Sequence, residues 1–111
     1  MKTLLSAAAL AVLAATSAFA DPVDGLWKTQ VDDGAYAYVT MSPCGAKLCG
    51  VISRTFNSTG EYKSANIGKK LVWDMQAKGS GRYKKGKIWQ PSTDKVFKSK
   101  MSLSGNTLKV S

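Results

Sequence analysis

The 111-residue chain has no histidine, so its chemistry rests on two cysteines, seven acids and sixteen bases. Without an imidazole the usual general base near neutral pH is missing, and so is the commonest metal ligand. Cys44 and Cys49 supply two thiols, six residues apart inclusive and not in C-x-x-C spacing. Two thiolates alone cannot close a four-ligand zinc site. No serine lies in a G-x-S-x-G elbow, and there is no glycine-rich phosphate loop and no acidic cluster fit for calcium. Glu61, Asp74 and Asp94 are the carboxylates left for a hydrolytic pair, and nothing in their spacing puts two of them in one cleft. These residues predict no enzyme, no catalytic residue, no metal and no cofactor.

Basic residues are unevenly placed. From Lys63 onward there are twelve Lys or Arg against two acids, whereas Asp21 to Tyr62 holds three bases and five acids. A basic surface is therefore expected on the later part of the chain. Lys84, Lys85, Lys87, Lys98 and Lys100 are its candidate contacts with an anionic surface. With Tyr62, Tyr83 and Trp89 nearby, such a face would suit nucleic acid. The alternative reading is that alternating lysines keep strands soluble and discourage edge pairing.

The N-terminus decides between possible partners. Lys2 precedes a run from Thr3 to Leu13 that is almost wholly apolar, and Ala14-Ala15-Thr16-Ser17 leads into Ala18-Phe19-Ala20. That order of charged, apolar and small residues ending in A-x-A is a cleavable secretory leader over residues 1–20. An uncleaved anchor is the alternative, disfavoured by the small residues and hydroxyls near the end of the run. No later apolar run approaches a membrane span. A periplasmic location is thus expected, with a single domain over residues 21–111. The leader carries one charged residue, Lys2, so its removal lowers the formal charge from +9 to +8. Export takes the protein away from intracellular nucleic acid. Anionic headgroups, lipopolysaccharide phosphates and acidic wall polymers become the available anions. In an oxidising compartment a Cys44–Cys49 disulfide is the favoured state, with free or metal-bound thiols as the alternative.

The exported part is punctuated by turn clusters: Asp32-Asp33-Gly34, Ser42-Pro43-Cys44-Gly45, Asn57-Ser58-Thr59-Gly60, Lys78-Gly79-Ser80-Gly81, Pro91-Ser92-Thr93-Asp94 and Ser104-Gly105-Asn106. Between them lie short runs rich in β-branched and aromatic residues. Leu71, Trp73 and Met75 alternate with Lys70, Val72 and Asp74; Phe97, Ser99, Met101 and Leu103 alternate with Lys98, Lys100 and Ser102. Leu108 and Val110 likewise oppose Thr107 and Lys109. Period-two alternation is what a sheet with one dry face requires. Seven short strands are expected, with one turn of helix possible near Ala65-Asn66-Ile67. The fold class is mainly β: a small antiparallel meander curling into a sandwich or barrel. The last strand ends without a following turn, leaving an exposed edge, which suggests a barrel incomplete at its C-terminus.

The ordered motifs Asp24-Gly25-Leu26-Trp27-Lys28-Thr29, Pro43-Cys44-Gly45 with Leu48-Cys49-Gly50, Asn66-Ile67-Gly68-Lys69, Val72-Trp73-Asp74-Met75, Gly86-Lys87-Ile88-Trp89-Gln90-Pro91 and Leu103 through Ser111 carry a family resemblance. The exported part resembles small exported bacterial proteins of the family known as domain of unknown function 2147. That resemblance implies a periplasmic, lipocalin-like β-barrel with no established catalytic residues. It also implies a closing segment beyond Ser111, with further cysteines, and hence a truncated chain here. Gly25-Leu26-Trp27 is similar to the Gly-x-Trp of lipocalins, where the Trp plugs the closed end of the barrel.

Three functional readings follow. The first is a non-enzymatic barrel that binds a small apolar or amphipathic molecule, its interior lined by Trp73, Met75, Trp89 and Phe97. The second is an interaction module whose lysine-rich face docks on anionic lipid, lipopolysaccharide or wall polymer. The third is a protein inhibitor, as some small exported barrels are for lysozymes; charge repulsion from commonly basic targets ranks it last. A complete barrel would be expected to be a monomer.

Overall fold

The fold is seen in a computed structural model, which describes residues 21–111; the predicted leader lies outside them. Eight strands run in chain order: β1 (Gly25–Lys28), β2 (Tyr36–Cys44), β3 (Lys47–Asn57), β4 (Gly60–Tyr62), β5 (Lys70–Gly79), β6 (Arg82–Gln90), β7 (Lys95–Ser104) and β8 (Thr107–Val110). They form one antiparallel sheet in the order β1-β2-β3-β5-β6-β7-β8, with β4 pairing β3 off that path. The sheet curls into a half-barrel whose first and last strands do not pair. The expected class is therefore observed. The count differs by one because Gly60 to Tyr62 folds back on Thr55 to Asn57 as a three-residue strand. Ala65 to Gly68 is a turn rather than a helix, held by Ile67 N–H to Ser64 O at 3.2 Å and Asn66 N–H to Ser64 Oγ at 3.1 Å.

The core sits on the concave side. Val23, Val39, Met41, Leu48, Val72, Met75, Tyr83 and Met101 are buried there, and Trp27, Leu71, Ile88, Leu103, Leu108 and Val110 pack against them. Two glycines make room for it. A β-carbon on Gly50 would lie 2.6 Å from Met41 Sδ and 2.9 Å from Val39 Cγ1, and one on Gly86 would overlap the Met75 thioether. At both places a methionine chain occupies the volume that a side chain would need.

Three register slips change what simple alternation predicts. Val51 pairs with Lys70 and Gly50 with Val72, so Leu71 is an extra residue. Leu71 and Val72 consequently both reach the concave side. Leu48 pairs with Met75, and between Val72 and Met75 the chain passes through Asp74 at φ 60. A bulge of this kind inserts one residue and resets the side-chain alternation. The expected shared face of Leu71, Trp73 and Met75 is thus corrected: Val72 and Met75 are the buried pair, and Trp73 alternates outward. The third slip lies in β6, between Tyr83 and Gly86, with Lys85 at φ 62.

The segment preceding β1 is tied into this core. Val23 is fully buried, Trp27 Nε1–H donates to Val23 O at 2.7 Å, and Val23 N–H donates to Asp21 Oδ1 at 3.0 Å. The Tyr83 hydroxyl donates to the Asp21 carboxylate, 62 residues away in sequence. Burial, then this hydrogen bond, raises the phenol pKa above its ordinary value. A group whose pKa is raised on folding stabilises the fold below its unfolded pKa and loses that contribution as pH climbs toward the folded value. Stability is therefore expected to fall above about pH 10. Tyr83→Phe should cost about 1–2 kcal/mol at neutral pH and flatten that alkaline limb, read by urea titrations at pH 8 and pH 11.

Cys44 and Cys49 form a disulfide that bridges the ends of the β2–β3 hairpin turn, as the sequence favours. Among the described residues no group of three or more His, Cys, Asp or Glu side chains is placed to hold a metal ion.

Candidate functional site

The concave side of the half-barrel is an open trough of about 1200 Å³. Its floor and walls come from Trp27 on β1, Val39 and Met41 on β2, Leu71 and Val72 on β5, Ile88 on β6, Met101 on β7, and Leu108 and Val110 on β8. Lys28, Gln30, Asp32, Gln90, Asn106 and Lys109 are among its other lining residues. An apolar bed with polar side chains among its lining is the general pattern of small-molecule sites. Six strands contribute, β3 and β4 excepted, because inward residues alternate with outward ones, and the Leu71 slip adds one more apolar side chain than strict alternation would supply.

The four residues expected to line an interior are not gathered there. Met75 is fully buried in the core beneath the trough rather than open to it. Trp73 pairs in register with Lys87, and both alternate outward. Trp89 alternates outward from Ile88; its Nε1–H donates to Asp94 Oδ1 at 2.9 Å, and Lys69 Nζ lies 5.4 Å from the ring centroid. Phe97 pairs with Ile88 and shares the inward parity of Ser99 and Met101, yet it is 47% exposed near the end of β7. Aromatic character drew attention to these positions, but the trough is lined mainly by aliphatic and thioether side chains. Of its lining, the alternation of Met101, Leu108 and Val110 was visible in the sequence.

The outer face carries two further groupings. On β2 and β3, Tyr36 stacks on Phe56 at 4.8 Å between centroids, and Tyr38 lies 5.3 Å from Phe56. Lys28 Nζ sits 4.4 Å from the Tyr36 ring, and Arg54 lies over Phe56 at 5.3 Å. Arg54 makes a two-pronged pair with Glu61, at 2.8 Å and 2.7 Å. The hydrogen bond and charge of that pair raise the guanidinium pKa and lower that of the carboxyl. The pair is exposed, so water screens it and its contribution is small. In the sequence, the signal of this cluster is the Tyr36-x-Tyr38 alternation.

The second grouping is the set of lysines singled out from the sequence. Lys84, Lys85, Lys87, Lys98 and Lys100 do come together, around a dent of about 600 Å³ that Gly86, Ser99 and Ser111 complete. Ser111 O there accepts from Lys100 N–H at 2.9 Å and from Ser99 Oγ–H at 3.1 Å.

Residues 25–111 match the model of a family described as uncharacterized protein conserved in bacteria (DUF2147). The chain belongs to the DUF2147 family. The match begins at the glycine that opens β1 and runs through β8, so every strand of the half-barrel lies within the matched residues. No curated protein and no solved structure matches the chain. What this DUF2147 chain does must accordingly be read from its own geometry.

Proposed function

We propose that this DUF2147 domain is a non-enzymatic binding protein of the periplasm, exported by a cleaved leader, whose trough takes a small apolar or amphipathic molecule. One observation carries the reading: an open concavity of about 1200 Å³ bedded on aliphatic, methionine and tryptophan side chains, with polar residues among its lining. A molecule laid in the trough would cover Leu71, Ile88, Leu108 and Val110, which are only partly buried. Burying such surface yields about 25 cal/mol per Å², so a few hundred Å² contribute roughly 5–10 kcal/mol before the costs of association. A polar end of the molecule would reach Gln90 on β6.

The reading is tested with a neutral naphthylamine dye that fluoresces in apolar surroundings. Wild type should bind it saturably. Leu108→Glu, on the short strand β8, should weaken binding about tenfold or more by placing a charge beside the dye. Val96→Glu changes a residue that is 51% exposed and does not line the trough, and it should leave binding unchanged. Equal binding by all three proteins, each shown folded by circular dichroism, would place the dye elsewhere and defeat the reading. So would a sedimentation experiment in which a second copy of the chain occludes the trough.

A further inference from the structure

The lysine dent has an unusual origin in the ladder between β6 and β7. Tyr83 pairs with Met101 and Gly86 pairs with Ser99. Between those pairs β6 has two residues, Lys84 and Lys85, against the single Lys100 of β7. The extra residue is accommodated by Lys85 at φ 62, a left-handed conformation that disfavours any side chain bearing a β-carbon. Turns and bulges usually meet that demand with Gly, Asn or Asp. One step along, Lys87 stands directly opposite Lys98. Like charges opposite one another across a ladder are destabilising. The bulge therefore holds five lysines on two adjacent strands, one of them in a strained conformation.

Among the described residues, no neighbouring side chain forms an ion pair with them. Across β5, Lys84 pairs with Gln76 and Lys87 with Trp73. Asp74 lies between those two positions in sequence, yet it neither lines the dent nor forms an ion pair. The ion pair among the described residues is Arg54–Glu61, which involves neither β6 nor β7. The dent itself is lined by no acidic side chain. Repulsion of this kind is relieved by a bound anion of high charge density. Lysine meets phosphate as a mobile point charge, without the planar match that arginine needs.

We propose that the β6–β7 bulge is a phosphate-binding site, with Lys84, Lys85 and Lys100 around one phosphate group and Lys87 and Lys98 beside it to hold a second negative group. Lys84, Lys87, Lys98 and Lys100 alternate with the inward residues Tyr83, Gly86, Ser99 and Met101, so the site faces away from the trough. It stands independently of what the trough binds. The phosphate is either free in solution or part of a lipid headgroup, and the two sources share the same chemistry at the lysines.

The test uses protein purified after export and compares two double variants of equal net charge. Lys85→Gly with Lys100→Gln removes charge from the bulge, and glycine at position 85 suits the positive φ, so this variant should fold at least as stably as wild type. Lys63→Gln with Lys95→Gln removes exposed charges that do not line the dent. Calorimetric titration with inorganic pyrophosphate is run at constant ionic strength, in parallel with sedimentation on neutral phospholipid vesicles doped with an anionic phospholipid. Binding should weaken about tenfold or more in the bulge variant and less than about twofold in the other. Pyrophosphate binding with this pattern identifies free phosphate as sufficient; vesicle binding alone with this pattern identifies the lipid headgroup. An absence of binding in both arms, or equal weakening by the two double variants, overturns the proposal.

Discussion

Met75→Ala should lower the stability of this domain by about 2–5 kcal/mol and its Tm by more than about 10 °C. Met75 has no exposed surface and is the largest of the fully buried side chains. Truncating it removes three heavy atoms from the core and leaves a cavity against β6. Small domains have only about 5–15 kcal/mol of stability to lose, so this single change removes a large share. Gly86→Val probes the same space from the opposite side. Its β-carbon would stand about 2.8 Å from Met75 Cε and Cγ, far inside van der Waals contact, and overpacking of this kind costs about 1–3 kcal/mol. The double variant decides whether the two residues share one volume. Valine at position 86 should fill part of the cavity left by alanine at 75, making the double variant more stable than the sum of the singles implies. Additive costs in urea titrations would show that the two positions do not compete for one space.

Reducing the Cys44–Cys49 disulfide should cost about 2 kcal/mol, seen as a Tm lower by roughly 10 °C in dithiothreitol. The ring is short, so its closure entropy is small beside that of bridges across long loops. Its position matters more than its size. Ser42 pairs with Cys49 and Cys44 with Lys47 across the hairpin, and Leu48, Gly50 and Val51 on either side of Cys49 also pair with β5. Cys49 is 2% exposed, so Cys44→Ser with Cys49→Ser should cost more than reduction does, because a buried hydroxyl replaces a sulfur. An unchanged Tm on reduction would mean that the turn at Gly45 and Ala46 alone holds the hairpin closed.

The strands and their turns were legible because they follow from period-two alternation and from clusters of Gly, Pro, Asn and Asp. The concave lining was legible only in part. In β7 and β8 alternation is unbroken, and Met101, Leu108 and Val110 point as their spacing implies. In β5 and β6 it is broken at Asp74 and Lys85, non-glycine residues in positive φ, and no local pattern announces a bulge at an aspartate or a lysine. Beyond such a residue every inward assignment reverses, which is why Trp73 parted from Met75. The lysine grouping survived because charge asymmetry does not depend on parity. Its cause, two lysines facing one across a slipped ladder, depends on pairing between strands and is visible only in the fold.

Nearly every pairing in this sheet joins neighbours in the sequence, since the order along the sheet is the order along the chain with β4 set aside. That has a consequence in time. Folding rates of β proteins are limited by distant pairings, and a meander whose first and last strands never meet avoids the most distant one. Each hairpin can form as soon as its two strands are present. The exception is the hydrogen bond from Tyr83 to Asp21, which spans 62 residues and fixes the segment before β1 against β6. That loop costs more entropy to close than any hairpin it contains, so docking of that segment is expected late in folding.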